Sequence, residues 1–345
     1  MTGDMSAEVL EQAVTWTMEA SKFDKSAGIG FFGGEPLLAR SAMVRAVSMA
    51  ERMAEELDIA VGFSTSTNGT LLTDADAKYL AYHRFLVQLS LDGGPASHDV
   101  HRRFHDGRPT ASTVLMALNR LERAGAYVEV ASVITPGNVT TLPDSFAMLT
   151  RSLGVRRLSM ALSVTSDWGK SDLMLLEEAL SRVGEELAGL YRDGVEVVVD
   201  LFDEPIEAHI RGYHPHQYCP FGLGKVAVDI DGTLYPCDRV AGEGRRASVA
   251  IGHLDRGIDS DKLEDMRHHV GLEKPPCPTC EIAGRCRHWC GCVNIDASGH
   301  YANVSDTFCD LQRLRVKAAD TMAEALYQER NPLFLGRFYE EQAVE

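Results

Sequence analysis

Gly28-Ile29-Gly30-Phe31-Phe32-Gly33-Gly34-Glu35-Pro36 is the segment on which the fold turns. Its first five residues read as a short strand. The paired glycines then permit a turn and a close backbone approach, and Pro36 suits the first turn of a helix. The same alternation continues outward. Upstream, Val9, Leu10, Ala13 and Ala20 recur at helical spacing. Downstream, strands are predicted at Val61–Thr65, Phe85–Ser90, Val128–Ile134, Leu158–Leu162 and Val195–Leu201. Helix-length stretches lie between them near 74–83, 111–125, 141–153 and 171–193. Such alternation means parallel βαβ units, whose chemistry sits at the carboxyl ends of the strands.

The character changes near residue 210. Short strands, turns and all eight cysteines follow; none lies in residues 1–218. Val226-Ala227-Val228-Asp229-Ile230 before Asp231-Gly232 reads as a strand entering a hairpin. Cys219 precedes Gly232 and Cys237; then come Cys277-x2-Cys280-x5-Cys286-x3-Cys290 and, after a gap, Cys309. Thiolates are soft ligands for iron–sulfur clusters or zinc. A zinc ribbon pairs two short knuckles on four ligands. Seven spaced cysteines fit two clusters better. Leu311, Leu314, Val316, Ala319, Met322 and Leu326 predict a closing helix.

This seven-cysteine pattern resembles the SPASM domain of radical S-adenosylmethionine (SAM) enzymes that modify peptides and proteins. The resemblance implies that Cys219, Cys237 and Cys290 hold auxiliary cluster I, with its fourth ligand unassigned. It implies that Cys277, Cys280, Cys286 and Cys309 hold auxiliary cluster II, both clusters being [4Fe–4S]. Cys292 falls outside the pattern and reads either as an inert small residue or as a spare ligand or reactive thiol. Upstream, Gly33-Gly34-Glu35-Pro36 is similar to the GGEP segment that holds the SAM amino group, and Glu35 can accept a bond from an ammonium. Thr67-Asn68-Gly69 resembles a segment lining the SAM pocket. Ser90-Leu91-Asp92-Gly93, with His98-Asp99-x2-Arg102, resembles a run of the peptide-modifying members, which makes Ser90 a candidate for the SAM carboxylate or ribose. Asp99 and Arg102 read as a structural ion pair or as site residues. Asp238, next to Cys237, corresponds to a proposed proton acceptor of anaerobic sulfatase-maturing members, or is structural.

The fold expected is therefore α/β: a partial (β/α)6 TIM-like radical SAM barrel over residues 1–210, a SPASM domain over 211–312, and a closing helix and tail over 313–345. The implied reaction reduces SAM to methionine and a 5′-deoxyadenosyl radical, which takes hydrogen from a bound peptide. The implied partners are a ribosomal precursor peptide or protein substrate and an electron donor such as a flavodoxin or ferredoxin. Sulfatase maturation to formylglycine is the alternative reaction. A formal net charge of −16 makes nucleic acid a poor partner. No apolar run is long enough for a bilayer, and Met1–Val14 lacks the marks of a signal peptide, so a cytoplasmic protein is predicted.

One departure stands out. The family's C-x3-C-x2-C for the SAM-cleaving cluster is expected just after the first barrel strand, a helix ahead of the GGEP strand, and no cysteine occurs there. The reading expects a first strand and cluster loop lost through a wrong or internal start, or a degenerate member that binds a peptide or carries electrons without cleaving SAM. The intact upstream segments favour the first. A barrel without its first strand exposes an edge. A zinc-stabilised binding module leaves the upstream segments unexplained.

Overall fold

The computed structural model describes residues 3–212, 221–222, 224–242, 248–271 and 274–340. The elements alternate as the sequence predicts. Strands β1 (Ser26–Phe31), β2 (Ala60–Thr67), β3 (Leu86–Ser90), β4 (Tyr127–Ile134), β5 (Arg157–Leu162) and β6 (Val198–Val199) carry the parallel pairing. Helices α1 (Ala7–Ala20), α2 (Arg40–Leu57), α3 (Asp74–Tyr82), α4 (Pro95–His101), α5 (Ala111–Ala124), α6 (Leu142–Ala147), α7 (Lys170–Arg192) and α8 (Asp200–Arg211) accompany them. Four short antiparallel strands follow: β7 (Ala227–Val228), β8 (Thr233–Tyr235), β9 (Gly252–His253) and β10 (Gly257–Ile258). The remaining helices are α9 (Ser260–Gly271), α10 (Gly291–Ser298), α11 (Asp306–Gln328) and α12 (Pro332–Phe338). The class is α/β with a parallel sheet.

The chain forms two compact units that interleave along the sequence: 1–90 with 116–128 and 219–271, and 91–115 with 129–218 and 272–345. In the first, β1, β2 and β3 run parallel, Phe31 facing Thr65 and Thr67 facing Leu89. Phe63 and Phe85 stack at 5.3 Å between centroids, and Val14, Met18, Val47 and Ala50 bury one face each of α1 and α2. Polar tips close the ends: the Thr73 hydroxyl accepts from Asp76 N and the Asp76 carboxylate answers to Thr73 N, a capping box for α3. The antiparallel strands β10-β9-β8-β7 also belong to this unit.

In the second unit, β5 pairs parallel with β4 and β6. Leu176, Leu180, Val183 and Leu187 of α7 and Ala319, Met322 and Leu326 of α11 are buried. Gly184 is buried on α7, where a Cβ would lie 3.3 Å from Phe202 Cε1 of α8 and 3.6 Å from Met322 Cβ of α11. The last predicted strand, Val195–Leu201, is shortened to two residues, because Asp203 Oδ2 accepts from Val199 N at 2.6 Å and starts α8 at Asp200. The predicted helix 141–153 is α6 continued by a π-helical turn, Met148–Ser152.

Candidate active site and cluster cavity

The carboxyl ends of β1 and β2 are joined through one side chain. Gly33 and Gly34 both adopt positive φ, 96° and 49°, a turn that glycine makes without strain. The turn presents Glu35, whose Oε1 accepts from Thr67 Oγ1 at 2.7 Å and Leu37 N at 3.1 Å, and whose Oε2 accepts from Asn68 N at 2.8 Å. Gly69 N donates in turn to Thr67 Oγ1 at 3.0 Å, and Asn68 Oδ1 accepts from Thr70 N and Oγ1. A carboxylate has about four lone-pair positions; three are used, which leaves room for one further donor. Thr67 pairs with Leu89, so Ser90, half-buried at the end of β3, stands one residue further on at the same strand ends. The structure thus brings Glu35, Thr67 and Asn68 into direct contact.

The Asp92 region is a frame. Asp92 is buried, and its carboxylate accepts from Arg102 Nε at 2.6 Å, Arg102 Nη2 at 3.1 Å and Val133 N at 2.9 Å. Asp99 does not pair with Arg102: it accepts from Thr110 N and Ala111 N at 2.8 and 3.0 Å, fixing the start of α5. This corrects the expected Asp99–Arg102 pair: each residue has a different partner. His98 is fully buried, with Nδ1 accepting from Asp92 N and Nε2 bonded to Thr110 Oγ1. Burial lowers its pKa, and the bonding assigns the neutral tautomer with hydrogen on Nε2.

Cys277, Cys280, Cys286 and Cys309 line one small cavity with Pro276, Ile282, Ala283, His288 and Phe308. These are the four thiols expected to act together. They are close enough to repel one another as thiolates: burial, then Cys309, Cys277 and Cys280, push the Cys286 thiol up to about 12. Two cations face the set: Lys274, buried near Cys277 and Cys286, and Arg313 near Cys309 and Cys280. Four thiols around one space are soft donors of the kind that fit an iron–sulfur cluster.

Of the other set, Cys219 lies outside the described residues. Cys237 and Cys290 are buried and belong to different units. Cys237 Sγ donates to Asp238 Oδ1 at 3.6 Å, and Asp238 is paired with Lys225 at 2.7 Å. Cys290 Sγ stands 3.4 Å from Cys292 Sγ.

Sequence reasoning missed how the cysteine segment is held. Arg287, between Cys286 and Cys290, makes a two-pronged pair with Glu204 of α8. Arg315 of α11 donates to Glu204 Oε2 at 2.7 Å and to the carbonyls of Asp200 and Leu201, both at 2.8 Å. Arg285 donates to Pro205 O and pairs with Asp320. Asp200 accepts from Met160 N at 2.7 Å, and burial raises its pKa. The arginines flanking Cys286 were the available signal; nothing in a helix start read as a strand pointed to Glu204.

Residues 1–144 match the model of the Radical SAM superfamily. The chain is 25% identical over 304 residues to the cysteine-type anaerobic sulfatase-maturating enzyme of Clostridium perfringens strain 13, covering 84% of this chain and 80% of that one. It is 25% identical over 284 residues to the serine-type enzyme of Klebsiella aerogenes, covering 78% and 67%. It is 20% identical over 332 residues to the radical SAM cyclopropyl synthase TigE of Paramaledivibacter caminithermalis, covering 92% and 65%. Among solved structures, native anSMEcpe with bound AdoMet and the Kp18Cys peptide superposes with a TM-score of 0.77 at 20% identity, over 95% of this chain and 92% of that one. SuiB of Streptococcus suis bound to S-adenosylmethionine gives 0.55 at 16%, over 89% and 71%.

Proposed function

We propose, on the premise that this chain belongs to the radical SAM superfamily, that it binds SAM and a peptide and serves the oxidative modification of a peptide side chain. The observation that carries this reading is the cavity lined by Cys277, Cys280, Cys286 and Cys309. Four thiolates suit one cluster, here auxiliary cluster II. In the same reading Cys219, Cys237 and Cys290 hold auxiliary cluster I, and 1–210, 211–312 and 313–345 are the SAM core, the SPASM domain and the closing segment. When bound, SAM and the clusters supply hydrogen abstraction and electron transfer.

The chain's own residues position these groups. Gly33 and Gly34 let the backbone approach SAM, and Glu35, held by Thr67 and Asn68, offers its remaining lone pair to the SAM ammonium. Ser90 meets the SAM carboxylate or ribose. Asp238, oriented by Lys225, is the proton acceptor. The relatives' names support a sulfatase-type cysteine or serine as the target, with a ribosomal precursor peptide the other substrate class. A flavodoxin or ferredoxin would supply electrons. Among the described residues no helix is long and apolar enough to cross a membrane.

No C-x3-C-x2-C occurs in the 345 residues, so no step is assigned through a SAM-cleaving cluster. A second reading is an iron–sulfur protein that binds SAM and peptide without cleaving SAM. One anaerobic experiment separates the two. Reduced, iron-loaded protein is given SAM and sulfatase-derived peptides carrying cysteine or serine, and 5′-deoxyadenosine and peptide mass are followed by mass spectrometry. Deoxyadenosine with a modified peptide, the modification being lost in Asp238→Asn while iron is retained, supports the enzyme and the role of Asp238. SAM binding without deoxyadenosine supports the second reading. Absence of SAM binding with zinc in place of iron overturns both.

A further inference from the structure

We propose that Arg40 is a positioning residue of the SAM site: it holds the turn that presents Glu35, so that the carboxylate's remaining lone pair meets the ligand's ammonium. The proposal rests on the reading of Glu35 as the partner of that ammonium. Glu35 ties the turn after β1 to the end of β2 from one side, through Thr67 and Asn68. Arg40 ties the same two segments from the other. Its Nη1 donates to Leu37 O at 2.6 Å, and its Nη2 donates to Leu71 O, in the loop that follows Thr67-Asn68-Gly69. Leu37 is therefore held at both polar ends, since its N–H donates to Glu35 Oε1 at 3.1 Å. It is also the buried residue of the single 3-10 turn, Pro36–Ala39, that separates Glu35 from Arg40.

The guanidinium is itself fixed. Arg40 Nε and Nη2 meet the two oxygens of Asp76 at 2.7 and 2.8 Å, the planar fork that arginine makes with a carboxylate and lysine cannot. Asp76, with 12% side-chain exposure, also accepts from Thr73 N at 2.8 Å and Thr73 Oγ1 at 2.6 Å, so the fork rests on the capped first turn of α3. Four of the five N–H donors of Arg40 are thus engaged by Leu37, Leu71 and Asp76. None of these four goes to Glu35, so Arg40 acts on the carboxylate through the backbone that carries it. All of these contacts lie within residues 1–90 and so within one compact unit. A charge-assisted hydrogen bond weakens steeply when its angle or length is disturbed, so a turn free to shift would cost the ligand's ammonium its partner.

The test uses the full chain as wild type, Arg40→Met, Arg40→Lys, Glu35→Gln and the double variant Glu35→Gln with Arg40→Met. Equilibrium dialysis gives dissociation constants for SAM and for its deamino analogue, in which hydrogen replaces the amino group. Arg40→Met is expected to weaken SAM binding roughly tenfold and to leave the affinity for the analogue unchanged, an asymmetry that mere loss of folded protein does not produce. Arg40→Lys, which keeps the charge without the fork, is expected to fall between Arg40→Met and wild type. Because Arg40 acts through Glu35, the double variant is expected to bind SAM as weakly as Glu35→Gln alone. Unchanged SAM binding in Arg40→Met, equal losses for SAM and analogue, or losses that add in the double variant overturn the role of Arg40 while leaving Glu35 as the ammonium partner. A wild-type chain that does not distinguish SAM from the analogue, or a Glu35→Gln variant that binds SAM as wild type does, overturns the Glu35 reading and the proposal with it. Should Arg40→Met not fold, Arg40→Lys and Asp76→Asn carry the same comparison. Weaker SAM binding at unchanged analogue binding then supports the proposal, and unchanged SAM binding in both variants overturns it.

Discussion

Thr67 donates its hydroxyl to the Glu35 carboxylate at 2.7 Å, so the turn after β1 is locked to the end of β2 by one side chain. Asn68 N meets the other oxygen at 2.8 Å. Glu35→Gln puts an NH2 group against one of these donors, and a lost bond to a charged group with a partner left unsatisfied costs about 1–3 kcal/mol. Urea denaturation should show that loss for Glu35→Gln and a smaller one for Thr67→Val. Equilibrium dialysis should show weaker SAM binding in both. Unchanged stability with lost SAM binding would assign Glu35 to the ligand alone, and the converse would make it purely structural.

The Arg287–Glu204 pair predicts that iron loading depends on residues that are not ligands. Arg287 and Glu204 are mostly withdrawn from water, at 28% and 24% side-chain exposure. Removing one partner of such a pair costs about 3–5 kcal/mol, because the other charge is left uncompensated. Arg315 remains on Glu204 at 2.7 Å and moderates this. Arg287→Ala should lower the melting temperature and reduce iron bound per chain on reconstitution. Arg287→Lys, which keeps charge but loses the fork, should fall between. Full iron loading in Arg287→Ala would show that the cysteine segment holds its shape without α8.

A pH dependence follows from Asp203. Burial pushes its carboxyl up to about 7, with Arg337 at 2.7 Å and Val199 N pulling the other way. An acid raised in the folded state keeps its proton where the unfolded chain has lost it. The folded state therefore binds more protons between the ordinary carboxylate range and about 7, and this group's contribution to stability falls as pH rises through that window. Urea midpoints of wild type and Asp203→Asn, compared between about pH 5 and 8, should converge at low pH and separate in the variant's favour at high pH. Parallel curves would place the Asp203 titration elsewhere.

The parts of this molecule that were legible from sequence were those written in local repeats. The strand–turn–helix at Gly28–Pro36 and the alternation after it predict β1 to β5 within a residue or two, because period and turn residues act over short distances. The grouping of Cys277, Cys280, Cys286 and Cys309 came from the family resemblance, and the four line one cavity. What was not legible depended on partners far along the chain. Asp99 was read with Arg102, three residues away and plausible on a helix, yet Arg102 turns to Asp92 and Asp99 caps α5. Val195–Leu201 reads as a strand by its apolar run, but one carboxylate, Asp203, reaches back to Val199 and ends the strand there, so that Asp200 and Leu201 begin a helix. Glu204 has no local mark at all; its meaning comes from Arg287 and Arg315, 83 and 111 positions away.

Gly93 offers a sharp geometric prediction. It has φ +117°, and a Cβ there would lie 2.3 Å from both Cβ and Oγ of Ser145. Two separate costs are involved, the backbone conformation that L-residues avoid and the overlap with Ser145. The preceding residue cannot yield freely, since Asp92 is bonded to Arg102, Val133 N, the Ser97 hydroxyl and His98. Gly93→Ala should therefore destabilise the chain by about 2–4 kcal/mol, read from denaturant midpoints. Adding Ser145→Gly removes the two 2.3 Å overlaps but leaves the 3.2 Å approach to Ser145 Cα and the backbone cost, so the double variant should recover only part of the loss. Complete recovery would mean that φ at this turn carries no strain, and a wild-type midpoint in Gly93→Ala alone would refute the close approach of Gly93 to Ser145.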